Sequence, residues 1–70
     1  MIIYKRKMEK KDIQNLEDDE ELIYYKDNNI AYIVRQVDNS YVIRKKKIFN
    51  NELINERFVK TAEQIIKVVE

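Results

Sequence analysis

Between residues 21 and 49 the chain is a series of apolar, β-branched and aromatic runs interrupted by polar clusters. Ile30-Ala31-Tyr32-Ile33-Val34-Arg35-Gln36-Val37 and Tyr41 to Phe49 are runs of strand length, rich in β-branched and aromatic residues, with Asp38-Asn39-Ser40 between them. Two such runs around a short polar cluster read as a β-hairpin. The chain has no Gly. Asn and Asp take its place in the turns, because they tolerate left-handed backbone angles better than other residues with a Cβ. Two more clusters, Asp27-Asn28-Asn29 and Asn50-Asn51, bound the hairpin. Before it, Glu21 to Lys26 predicts a further strand, and Met1 to Lys7 a fourth.

The length of the hairpin loop sets the register. A loop of two or four residues places Gln36 opposite Tyr41 and Val34 opposite Ile43; a three-residue loop shifts every pair by one. In the first register one face carries Ile30, Tyr32, Val34, Tyr41, Ile43, Lys45, Lys47 and Phe49. The other carries Ala31, Ile33, Arg35, Val37, Val42, Arg44, Lys46 and Ile48. Neither face is purely apolar.

Toward the carboxyl end the period changes. Ile54, Phe58, Val59, Ala62, Ile65, Ile66 and Val69 fall on one side of a helical wheel, a core-facing stripe. This predicts a helix starting near Asn51, with Asn50 as cap and Phe49 stapled to Ile54. A second reading competes. Thr61-Ala62-Glu63-Gln64 is a capping-box pattern, so a strand from Leu53 to Lys60 with a helix from Thr61 also fits. Residues 9–20 offer two apolar anchors, Ile13 and Leu16, with Asp12 placed to cap a short helix ending near Leu16. The expected fold is α+β: one domain over residues 1–70, an antiparallel meander of three to four strands packed against a C-terminal helix. Its expected core is Ile23, Ile33, Val37, Val42, Ile54, Phe58, Ile65, Ile66 and Val69.

Composition narrows the chemistry. With no Cys and no His in 70 residues, there is no zinc finger, iron–sulfur cluster, thiol nucleophile or Ser–His dyad. Without Gly there is no phosphate-cradling loop of the Walker or dinucleotide type. No cofactor is expected, and no enzyme. The longest apolar run is five residues, Ile30 to Val34, far short of the ~20 of a membrane span. The lack of Cys suits a reducing, cytoplasmic setting. Hydrophobic residues make up 44% of the chain, enough to fold, with a stability of roughly 3–5 kcal/mol for so small a core.

The net charge of +1 conceals blocks of opposite sign: +4 over residues 1–11, −6 over 12–27, +4 over 28–50 and −1 over 51–70. The basic clusters Lys5-Arg6-Lys7 and Arg44-Lys45-Lys46-Lys47 are candidate macromolecule-binding residues. Strand alternation sends Arg44 and Lys46 to one face and Lys45 and Lys47 to the other. Lysines on a strand also serve simply to guard a sheet edge against aggregation. If the helix covers the aliphatic face of Ala31, Ile33, Val37 and Val42, then Tyr32, Tyr41, Lys45 and Lys47 form an open Tyr/Lys face. Such a face holds single-stranded nucleic acid by stacking and charge; the same tyrosines equally suit cross-strand packing. The acidic run containing Glu17, Asp18 and Asp19 is a solvated loop, or a surface that engages a basic partner. Two functions are carried forward. The first is a non-enzymatic interaction or regulatory protein that binds another macromolecule, most simply a protein, through charged, Tyr-bearing surfaces, as an inhibitor from a phage or mobile element would. The second is a nucleic-acid-binding module that uses the Tyr/Lys face. Self-association is compatible with either.

Overall fold

A computed structural model describes residues 1–70. The chain forms β1 (Ile2–Lys5), α1 (Lys10–Gln14), β2 (Glu21–Tyr25), β3 (Ile30–Val37), β4 (Ser40–Lys47), β5 (Leu53–Val59) and α2 (Ala62–Val69). The strands lie in one sheet in sequence order. β2 to β5 are an antiparallel meander, and β1 adds to β2 in parallel. The architecture is thus α+β with a mixed, five-stranded sheet, rather than three or four antiparallel strands. The extra strand is β5, and the parallel edge follows from α1, which supplies the crossover that parallel neighbours require.

Turn chemistry fixes the meander. Asp38 and Asn39 both adopt φ of 48°, so the β3–β4 loop has two residues and Val37 faces Ser40. Paired left-handed residues match the twist of the flanking strands. Gln36 therefore opposes Tyr41 and Val34 opposes Ile43, the register of the two-residue loop. At the β2–β3 turn the Asp27 carboxylate accepts from the amides of Asn29 (2.7 Å) and Ile30 (2.9 Å). Those bonds hold its pKa below the ordinary carboxylate value. The β4–β5 connection turns on Asn51, with φ of 57°, and the Asn50 Oδ1 accepts from the Glu52 amide at 3.1 Å.

Of the two readings of the carboxyl end, the shorter helix is the one formed. Thr61 is extended; its Oγ1 accepts from the Gln64 amide at 3.3 Å, and the Gln64 side chain returns a bond to the Thr61 amide. This box starts α2 where it stands. A helix begun near Asn51 would forgo both the box and the β4–β5 ladder. Asn50 is accordingly no helix cap, and Phe49 is no staple: it is 95% exposed. Likewise Asp12 does not open α1. It lies in the first turn, after Glu9, and its carboxylate accepts from the Glu9 amide at 3.1 Å.

Both helices lie on the same side of the sheet. The core unites Ile13 and Leu16 with Leu22, Tyr32, Val34, Ile43, Ala62, Ile65 and Val69. Ile65 and Val69 are core as expected, and half-buried Ile66 packs against them. Ile23 and Ile33 are only half-buried, and Val37, Ile54 and Phe58 are exposed. Val42 is buried but lies on the other face, outside the main core. The register explains which face is covered. Ile3, Leu22, Val34 and Ile43 form one continuous row across four strands. On the opposite face Arg35 sits beside Val42, and Arg44 beside Ile33. Seating the apolar sides of the two helices there would set them on Arg35 and Arg44, whereas the Leu22–Val34–Ile43 row offers them an uncharged centre. The cations on the covered face lie at strand ends, as Lys5 and Lys45 do, or on the edge strand, as Arg57 does.

Candidate interaction surfaces

The strands carry the charge blocks to opposite ends of the sheet. β1, β2 and β4 finish at one end, where Arg6 and Lys7, Lys26, and Lys45 to Lys47 collect. Two carboxylates at that end are already engaged: Asp27 by turn amides and Glu52 by Lys47, 3.6 Å away. The acidic run enters β2 at the other end, where the amino group of Met1 donates to the Asp19 carbonyl at 3.1 Å. Glu17, Asp18 and Asp19 are exposed there. The carboxylates nowhere gather in a set that could hold a metal ion. No helix is long and apolar enough to cross a membrane.

Not all of the candidate residues share a surface. Tyr32 is 3% exposed under the helices, and its ring stacks on Tyr24 with centroids 6.3 Å apart. Tyr41 is half-buried on the same covered face. The open Tyr/Lys face is therefore absent, because the helices occupy the face that carries these rings. Lys5 is tied to Asp12 of α1 at 3.2 Å. Arg44 pairs with Glu56 across β4 and β5. The Lys46 Nζ reaches the Asn51 Oδ1 at 3.4 Å. Lys45 points to the helix side, toward Arg57 and Lys67.

The face left open has a different character. Ile2, Tyr4, Ile23, Tyr25, Ile33 and Val37 run across β1 to β3, with Val42 and Phe58 beyond. Tyr4 and Tyr25 stack nearly parallel, 6.1 Å between centroids. Tyr4 is 60% exposed and Phe58 72%. A cavity of about 180 Å³ opens where Ile23, Tyr25, Ala31 and Ile33 meet Lys46, Lys47 and Ile48. Next to Ile48, at the tip of the β4–β5 loop, stands Phe49. Its exposure leaves nothing in the fold for the ring to do.

Tyr4, Tyr25, Ile48, Phe49 and Phe58 lie outside the candidate binding residues that the sequence suggests. The signal for Tyr25 was available: alternation across β2 puts it opposite in sense to Leu22 and Tyr24. Phe49 abuts the Asn50-Asn51 turn cluster, which places it near a loop tip. No protein-family model matches the chain, and neither a curated protein nor a solved structure matches it.

Proposed function

We propose that this protein is a non-catalytic binding module that docks a protein partner on the uncovered face of its sheet. One observation carries the reading. A five-stranded sheet has helices on one side only, and the bare side presents apolar and aromatic side chains around Arg35 and the Arg44–Glu56 pair, with exposed Phe49 in the adjoining β4–β5 loop. Exposed apolar surface of this kind marks interaction sites in small soluble proteins.

The chemistry of the partner follows from charge. On the open face Arg44 and Glu56 neutralise each other. Arg35 and Lys46 remain against Glu21, and Lys47 flanks the small cavity. The complementary surface is apolar at its centre, carries carboxylates opposite Lys46 and Lys47, and inserts one side chain into the cavity. A second copy of this chain would set the same cationic excess against itself. Burial of Tyr32 and half-burial of Tyr41 speak against a nucleic-acid surface built on those two rings. A regulatory or inhibitory role is the natural use of a module with this surface and no reactive side chains.

The test uses Phe49→Ala and Ile48→Ser, whose side chains contribute little to the fold. The intact protein and each variant are used to recover partners from the native host, and recovered proteins are then purified and titrated against both forms. A partner bound by the wild type, at least about tenfold weaker for Phe49→Ala, and protecting β2–β4 amides from hydrogen exchange supports the reading. A partner bound equally by the variants, a stable homodimer in sedimentation that buries this face, or duplex or single-stranded oligonucleotide bound in its place would each overturn it.

A further inference from the structure

On the helix side of the sheet, β5 extends beyond the cover that α2 provides, and a groove of about 290 Å³ opens between α2, β4 and β5. Tyr32 and Ile43 form its floor. Lys45, Asn55, Arg57 and Lys67 stand around it. No carboxylate lines the groove, and none of the three cations takes part in an ion pair. Outside the groove Lys5, Lys10, Lys11, Arg44 and Lys47 have carboxylate partners, whereas Arg6, Lys7, Lys26, Arg35, Lys46 and Lys60 have none.

The register brings two of these cations together. Lys45 lies directly opposite Asn55, and Arg57 opposite Ile43, all on one face. Lys45 and Arg57 are thus diagonal neighbours, with Cα atoms on the order of 7–8 Å apart. α2 adds Lys67 from its last turn. Beyond Lys45 the β4–β5 register shifts, between Lys45 and Lys46, at the end of the groove away from Arg57. Such irregularities re-aim side chains and often adjoin functional sites. Three cations stand around an apolar floor, an arrangement that a multivalent anion would engage together.

We propose that this groove binds the phosphate or pyrophosphate group of a small organic molecule. Arg57 would supply the planar fork that matches phosphate oxygens, Lys45 and Lys67 would supply point charges, and the Asn55 amide a neutral donor. Three cations fit a dianionic or trianionic group better than a single carboxylate. The volume lies near the lower end for small-molecule sites, about 300 Å³, which sets the ligand at about mononucleotide size or below. This site is independent of the sheet-face reading: it lies on the other side of the sheet and shares no residue with it.

The experiment titrates the full chain with inorganic pyrophosphate, adenosine monophosphate and a short single-stranded oligonucleotide, followed by amide-resolved NMR and calorimetry. Saturable pyrophosphate or nucleotide binding is expected, with shifts confined to residues around 45, 55–57 and 67–68. Arg57→Gln and Lys67→Gln, both at exposed positions, should each weaken it by about tenfold, and Lys60→Gln should leave it unchanged. Absence of saturation at millimolar ligand, equal affinity in the Arg57 and Lys67 variants, or shifts spread evenly over Arg6, Lys7 and Lys46 would overturn the proposal. So would binding of the oligonucleotide alone, which would make the ligand a polymer rather than a small molecule.

Discussion

Which face of the sheet the helices cover can be tested by truncating one residue on each. Ile43 lies on the covered face at 2% exposure, within the row formed with Leu22 and Val34. Ile43→Ala removes three carbons, about 2.4 kcal/mol of transfer free energy at ~0.8 per methylene. The unfilled space adds to that, for a total of about 3–4 kcal/mol. Phe58 lies on the open face at 72% exposure. Phe58→Ala loses little buried area, and part of that area is also shaded in the unfolded chain, so its cost is about 1 kcal/mol or less. Were Phe58 a core residue, the same change would cost about 3–5 kcal/mol. The difference is large against a total of about 3–5 kcal/mol. Urea unfolding followed by circular dichroism reads it. The Phe58 variant should unfold near the wild-type midpoint, and Ile43→Ala should be largely unfolded without denaturant. Ile43→Val, at about 1 kcal/mol, keeps the comparison measurable. Equal losses for Phe58→Ala and Ile43→Ala, or a neutral Ile43→Ala, would refute the assignment of faces.

Other consequences are smaller. Asn39→Gly in the left-handed β3–β4 turn should stabilise by about 0.5 kcal/mol and Asn39→Val should destabilise by more, both read as shifts in the thermal midpoint. Thr61→Ala removes the cap of α2 and should cost about 1 kcal/mol, with faster amide exchange over Ala62–Ile65. Asp27 and Glu63 both have depressed folded pKa values, Asp27 through its turn amides and Glu63 mainly through Lys10. Their contribution is complete above the ordinary carboxylate pKa and is lost as pH falls through the depressed values. Stability measured from about pH 6 downward should therefore drop below the ordinary carboxylate range, and less steeply in Asp27→Asn. An unchanged slope would show that these bonds do not form in solution.

Local physics is legible in this sequence wherever the nearest neighbours decide. The absence of Gly sends the turns to Asp38-Asn39 and Asn51, whose backbone is left-handed as their residue types suggest. The two-residue loop carries the hairpin register with it. Alternation separates Arg44 and Lys46 from Lys45, although Lys47 joins Lys46 at the open-face cavity, and the Thr61–Gln64 box marks the start of α2, although a longer apolar stripe competes with it. Charge blocks and missing residue types restrict the chemistry before any fold is known.

What the chain alone leaves open is decided by contacts between distant segments. Both faces of the β3–β4 hairpin are half apolar, so nothing local says which one the helices take. The choice depends on β1 and β2, which extend the row of Val34 and Ile43 with Ile3 and Leu22, and on the place of Arg35 and Arg44 on the other face. The strand state of residues 53–59 depends on the free edge of β4, which no window within those residues contains. The meeting of Lys45 with Arg57 and Lys67, and the bare face beside Phe49, arise only once β5 has paired and α2 has packed. Propensity acts over a few residues, whereas faces, edges and grooves belong to the assembled sheet.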